Sequence, residues 1–411
     1  MTIESVTTTT IVGPVVRRRK LDDIFGRSQT GPLGEWFWEI DRVLILLVTI
    51  LISMGLIAVA AASPAAAEGY SGEGFQLGQL HYFYRQLVWI AVGLPIMFIV
   101  STMPKEFAKR FALGGAVCFF VLLLFVPILG EEVNGARRWV GWGAATLQPS
   151  EFLKPFFIVS VAWVLSLRAH DATLPVTALT GLATAIIGLL LMRQPDFGQT
   201  VVFGAVWIVL LMIAGANWRL LAGAATAGIG GVIAAYFLYP VARTRIDSFF
   251  FPAADRFGDG YQVDRARETI TNGGLLGTGP GDGDMKFTLP EPHTDYIFAV
   301  IGEEFGMIAC LAIALIFAAI VVRVFVRLLH EENLFYLLAS AGLATQFAMQ
   351  ALINMAVNLQ LAPSKGMTLP FISYGGSSLI ALSIGFGLLL AFTRRNEHLA
   401  RRSITPIGKR K

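Results

Sequence analysis

The chain has 411 residues, 55% of them hydrophobic and only 15% charged, with a mean hydropathy of +0.65. A water-soluble domain carries roughly a quarter charged residues, so too few remain here to cover a water-facing surface and a soluble fold is excluded. The formal charge of +4 needs no nucleic acid as partner, because the cytoplasmic Lys and Arg of a membrane protein give the same excess.

Residues 1–40 are a polar leader with Arg17, Arg18, Arg19 and Lys20 in a row. It reads as a disordered cytoplasmic arm, with no cleavable signal peptide before the first apolar run near Val43. Apolar runs then predict ten membrane helices at about 43–62, 86–102, 111–129, 152–168, 175–192, 199–215, 219–240, 296–322, 333–358 and 377–393, since about 20 apolar residues cross the hydrocarbon core. The fold class is therefore an all-α integral membrane protein, with a polytopic domain over 41–395 and a basic tail over 396–411. Lys105, Lys109, Arg110, Arg168, Arg219, Arg323, Arg327 and the terminal Lys409-Arg410-Lys411 fall on one side. The bias of Lys and Arg toward the cytoplasm puts that side, and both termini, inside. Loops 63–85, 130–151, 193–198, 241–295 and 359–376 face outward, the longest lying between helices seven and eight. Cys118 and Cys310 lie inside apolar runs, at no metal or disulfide spacing.

The outward loops hold basic residues against the insertion bias, among them Arg137, Arg138, Lys154, Arg193, Arg243, Arg245, Lys286 and Lys365. Binding an anionic substrate would account for them. Before helix four stand Arg138 and then Gln148-Pro149-Ser150-Glu151-Phe152-Leu153-Lys154. Glu151 and Lys154 share a helix face at i,i+3. They read either as a local anchoring pair or, with Arg138 and a helix N-terminus, as a diphosphate cradle. In the turn Arg193–Gln199, Asp196 is an N-cap or a ligand.

The long loop ends in Pro292-His293-Thr294-Asp295-Tyr296 against helix eight. Asp295 at that helix mouth is an N-cap or a general base whose pKa burial would raise; His293 could hydrogen-bond or act in its place. Glu303 and Glu304, two turns on, read as a proton relay or as structural glue to a basic partner such as Arg193. Gly302 and Gly306 permit close helix packing. Gln346, Gln350, Asn354 and Asn358 recur every fourth residue, giving one amide stripe for interhelical bonding or for a cavity wall. Pro363–Ser378 breaks the helical pattern and supplies Lys365, Ser373 and Tyr374 as donors, an irregular stretch tolerated only inside protein or beside water.

Together the stretches NGARRWVGW, LQPSEFLK, RQPDFGQT, YQVDRARETITNGGLLGTGPG, PEPHTDYIFAVIGEEFG and NLQLAPSKGMTLPFISYGGSS resemble the SEDS family (shape, elongation, division and sporulation). KGMTLPFISYGGSS and the entry GEWFWEIDR look more like its division branch than its elongation branch. The resemblance implies a peptidoglycan glycosyltransferase of the inner membrane at the division septum. Such an enzyme polymerises lipid II onto a nascent glycan strand at the outer face, with inversion and with undecaprenyl diphosphate as leaving group. By that resemblance Asp295 is the catalytic aspartate, and Arg138 and Lys154 hold diphosphate. Glu151, Gln148, Asp196, His293, Lys365, Ser373 and Tyr374 complete the expected substrate site. It further implies a single-pass class B penicillin-binding protein as partner, other divisome proteins and membrane lipids around it, and a divalent cation (Mg or Mn) at the diphosphate, although no ligand cluster in the sequence marks one. A lipid II flippase, an elongation-type polymerase and a non-catalytic scaffold are the alternatives.

Overall fold

The computed structural model describes residues 32–71, 76–133, 136–142, 145–169, 171, 173–251, 259–363 and 366–395. Of the disordered arm expected over 1–40, residues 1–31 lie outside them, as do the tail over 396–411 and Lys365, whereas Pro32–Glu39 is helical. The chain divides into two units, residues 1–40 with 394–411, and residues 41–393. In the first, helix α1 (Pro32–Glu39) exposes Phe37 and Trp38, and the Glu39 carbonyl accepts from the Arg395 amide.

The second unit is a helical bundle of a multi-pass membrane protein. Its helices are α2 (Arg42–Gly69), α3 (His81–Thr102), α4 (Lys105–Leu129), α5 (Pro149–Ser166), α6 (Val176–Arg193), α7 (Phe197–Ile213), α8 (Trp218–Leu238), α9 (Pro240–Phe250), α10 (Asp259–Gly273), α11 (Ile297–Leu328), α12 (Leu334–Asn358) and α13 (Gly376–Thr393). Among the described residues nine helices are long and apolar enough to cross a membrane; α7, at 17 residues, is a shorter apolar tenth. The buried centre is α13 flanked by α5 and α12, whereas α8 buries only Ala235. The expected loop at 241–295 contains two helices, α9 and α10.

One element departs from the all-α expectation. Within the loop expected over 130–151, β1 (Glu131–Val133), β2 (Ala136–Trp142) and β3 (Ala145–Leu147) form a three-stranded antiparallel sheet, with Glu131 opposite Trp139 and Val140 opposite Leu147. Trp139, Val140 and Trp142 carry the strand preference of aromatic and β-branched side chains.

Helix α11 breaks at Gly306, whose φ of 78° and ψ of 176° are open to glycine and strained for other residues. A helix interrupted in an apolar setting must find other partners for its freed backbone groups. The loop after α10 provides them: the Thr278 and Gly279 amides donate to the Glu303 and Glu304 carbonyls, while the Met307 and Ile308 amides donate to those of Gly274 and Leu275. Gly306 thus admits a stitched loop into the helix, where the sequence predicted simple close packing.

Candidate functional site

A polar cavity of about 770 Å³ opens where the sheet, the segment before α11, the segment before α13 and the start of α3 converge. Arg138, Gln148, Glu151, Asp295 and Tyr374 line it, joined by Arg85, Arg245, Glu291 and the N-terminal residues of α13.

The sheet places the first wall. Alternation along β2 turns Ala136 and Arg138 to the cavity and Arg137 the other way, onto Glu132 and the Pro127 carbonyl. Arg138 Nε and Nη2 donate to the carbonyls of Gln194 and Pro195, at 3.0 and 2.7 Å, so the guanidinium is fixed in orientation. Burial lowers its pKa, opposed by Asp196 and Asp295. Asp196 is the N-cap of α7: its Oδ1 accepts from the Gln199 amide at 3.2 Å and its Oδ2 from Gln148 Nε2 at 3.1 Å. Burial raises its pKa, and Arg138 opposes the rise. Asp196 is therefore a cap that also braces Gln148, and it does not line the cavity.

Pro149 occupies the first turn of α5, where a missing N–H costs nothing. Glu151 in the same turn reaches the cavity floor. Its carboxylate pairs with Lys154 at 2.8 Å, accepts from Ser378 Oγ at 3.2 Å and from Gln199 Nε2. Lys154, 2% exposed, also donates to Gln350 at 3.4 Å. Its ammonium stands behind Glu151 and is absent from the lining, because i,i+3 spacing carries it one helical turn below the cavity.

Asp295 lines the same cavity. The N-cap residue of α11 is Tyr296, with no side-chain cap bond, so the Asp295 carboxylate is not consumed in capping. Its main chain is held instead: Asn354 and Asn358 of α12 donate to the Asp295 carbonyl at 2.9 and 3.0 Å, and Asn354 also donates to Met367 O at 2.7 Å. Part of the amide stripe thus aims Asp295. Gly366 lies so near that a Cβ there would be 3.1 Å from Oδ2. Burial first and the neighbouring Glu291 second push the Asp295 pKa up to about 8, while Arg245 and Arg138 pull it down. A carboxyl near 8 is a far stronger base than one near 4, and it gains its charge as pH rises through about 8.

The segment 366–375 is irregular, with Phe371 at a φ of 62°, and its polar groups are satisfied internally. Ser373 Oγ accepts from the Leu369 amide at 2.7 Å, its carbonyl accepts from Gln86, and the Tyr374 amide donates to His293 O at 2.9 Å. Ser373 is buried behind the wall while Tyr374 faces the cavity. His293 is packed against the rings of Tyr82 and Tyr374, with centroids at 4.0 and 5.2 Å. Burial and Arg85 push its pKa down to about 4; it is neutral, out of the lining, and shapes the wall rather than replacing Asp295.

Glu303 and Glu304 are glue, with a partner other than Arg193. Glu303 accepts from the Met285 and Lys286 amides at 2.8 and 2.9 Å and from Asn272 at 3.0 Å; Glu304 pairs with buried Lys286. Among the described residues no group of three or more His, Cys, Asp or Glu could hold a metal ion.

The family described as cell cycle protein, that of FtsW, RodA and SpoVE, matches residues 41–398. A probable peptidoglycan glycosyltransferase FtsW of Caulobacter vibrioides is 36% identical over 374 residues, covering 90% of this chain and 93% of that protein. One from Alkalilimnicola ehrlichii is 37% identical over 385 residues, covering 89% and 92%. Among solved structures, a chain of a peptidoglycan synthase complex that coordinates polymerization and crosslinking is 28% identical with a TM-score of 0.70, covering 86% of this chain and 97% of that one. The rod shape determining protein RodA of Thermus thermophilus is 27% identical with a TM-score of 0.62, covering 86% and 96%.

Proposed function

This chain belongs to the cell cycle protein family of FtsW, RodA and SpoVE, and on that footing we propose that it is a peptidoglycan glycosyltransferase that polymerises lipid II at the outer face of the inner membrane during septal wall synthesis. The observation that carries the chemistry is Asp295, a carboxyl with its pKa pushed up to about 8 beside Arg138 and Arg245, on a polar cavity. Asp295 takes the proton from the acceptor sugar's 4-hydroxyl. That oxygen attacks the donor's anomeric carbon from the face opposite the lipid diphosphate. The bond from carbon to the diphosphate oxygen breaks, the configuration inverts, and the leaving group departs with the electron pair. Arg138 and Arg245 face the growing negative charge, and Arg138, pinned by two carbonyls, needs little reorganisation to do so. Among the described residues no group of side chains forms a ligand set for the expected divalent cation, so no step runs through one. The partner that fits this reading is a class B penicillin-binding protein, which would crosslink the product; FtsW-type relatives and the solved synthase complex support it.

The test is polymer formation from lipid II by the full-length protein with its class B partner. Asp295→Ala is expected to lower the rate by about 10²–10⁴-fold. An unchanged rate would remove Asp295 as the base. Lipid transfer across vesicles without polymer would replace the polymerase by a flippase.

A further inference from the structure

The proposed reaction brings together two substrates that both carry a lipid diphosphate, and the coupled pair Arg138 and Arg245 accounts for only one of the two. Both of those cations act on Asp295 and on each other, which places them beside the reacting atoms and therefore beside the diphosphate that leaves. The acceptor's diphosphate must lie a disaccharide away from the hydroxyl that Asp295 deprotonates. Other residues of the same lining have the chemistry to hold it.

Three observations meet there. First, Arg85 of α3 is half-buried on the cavity. Its guanidinium lies 5.9 Å from the centroid of the Tyr374 ring, and among the described residues it makes no ion pair or hydrogen bond. A cation held out of bulk water without an anion favours binding one. Second, α13 begins in the cavity wall at Gly376. The amides of Gly376, Ser377 and Ser378 donate to no acceptor among the described residues, and such a helix start attracts phosphate. Third, Ser377 is a lining residue, only 5% exposed, and its buried Oγ has no hydrogen-bond partner. A buried hydroxyl costs stability unless something bonds to it.

Arg85 and this helix start belong to one locus. Trp89, one turn beyond Arg85, packs on Gly376 so closely that a Cβ there would lie 2.6 Å from the indole. The carboxylate that meets the helix start through Ser378, Glu151, is already matched by Lys154. One short segment links Asp295 to this locus: Gly366 lies against the Asp295 carboxylate, and Thr368 lies against Gly375 and Ser378. Two residues of extended backbone reach at most about 7 Å, which keeps the locus within the reach of a disaccharide from Asp295.

We propose that Arg85, the Ser377 hydroxyl and the amides at the start of α13 form a second diphosphate subsite that holds the acceptor substrate. The proposal rests on the polymerase reading for the identity of its ligand. The test uses the full-length protein with its class B partner. Geranyl diphosphate, a soluble polyprenyl diphosphate, is titrated by calorimetry, and the KM for lipid II is measured alongside.

The wild type binds two equivalents of geranyl diphosphate. Arg85→Ala and Ser377→Ala each weaken one of them roughly tenfold to a hundredfold and raise KM more than they lower kcat. Arg85→Lys restores part of the affinity, which a merely structural role would not predict. Ser377→Ala removes a single atom and keeps the question open if Arg85→Ala fails to fold. Two undisturbed equivalents in Arg85→Ala and Ser377→Ala, with polymer still formed, overturn the subsite and leave the polymerase standing. Diphosphate binding that depends on Arg85, in a protein that makes no polymer, supports the subsite and overturns the polymerase.

Discussion

Two buried lysine–glutamate pairs lie in this molecule and differ in what they touch. Lys286 and Glu304 are enclosed on all sides, at 2% and 0% side-chain exposure. They clamp the loop after α10 onto α11, with Glu303 completing the seal through two backbone amides. Lys154 and Glu151 are nearly as buried, at 2% and 8%, but Glu151 opens on the cavity and also holds Ser378 at the start of α13. Burial of charge is common to both, so burial alone does not mark function. What separates them is the access of one carboxylate to a space that a substrate can enter.

The largest expected effects come from breaking each pair singly. Removing one partner of a buried ion pair leaves an uncompensated charge and costs about 3–5 kcal/mol, so Lys286→Met and Lys154→Met should both lower the melting temperature markedly in detergent. The double replacements separate the regions. Lys286→Met with Glu304→Leu should recover most of the stability, since buried pairs are often replaceable by apolar residues of similar volume, and should recover polymerisation with it. Lys154→Met with Glu151→Leu should recover stability and leave polymerisation low. Equal recovery of activity in both doubles would erase the distinction.

A smaller effect concerns pH. The folded-state pKa of Asp295 is raised to about 8 from an ordinary 3.8, so between those values the folded protein binds more protons at this site than the unfolded chain. Its contribution to stability then falls as pH rises from about 4 to about 8. Asp295→Asn should therefore gain in melting temperature over the wild type at pH 8 and show no such gain at pH 4. The same ionisation should make the polymerisation rate climb with pH and level off above about 8. A rate flat from pH 6 to 9 would mean that another group takes the proton.

Much of this was legible in the chain, for identifiable reasons. Long apolar runs announce membrane helices because lipid leaves the backbone no other partner, and a carboxylate at a helix mouth announced Asp295. Lys154 was read as a cavity cation because the sequence gives the shared face with Glu151 but not the depth at which that face crosses the cavity floor. Arg245 stood out only as one of many outward cations, and Arg85 not at all, since nothing local distinguishes a cation that the fold leaves unmatched from one that it pairs. The strand β2 is not legible because seven residues with two adjacent arginines near the start give little alternation to read. The glue role of Glu303 and Glu304 was visible; their partner, Lys286, was a matter of tertiary packing.

The smallest effect sharpens the comparison from outside. Arg137, next to Arg138 in β2, points away from the cavity and meets Glu132 at 3.4 Å, with both side chains more than half exposed. Water already solvates both charges, so the pair contributes little, and Arg137→Ala should change stability by no more than about 0.5 kcal/mol. Arg138→Ala, one residue on, removes a half-buried guanidinium that two carbonyls hold toward Asp295. It should cost activity out of proportion to any change in melting. If the two alanine variants instead behaved alike in the polymer assay, the orientation imposed by the strand would be irrelevant and the outward cations would act only through their summed charge. Adding salt decides that directly, because a diffuse field is screened within about 10 Å at 0.1 M ionic strength, whereas a fixed contact inside the cavity is not.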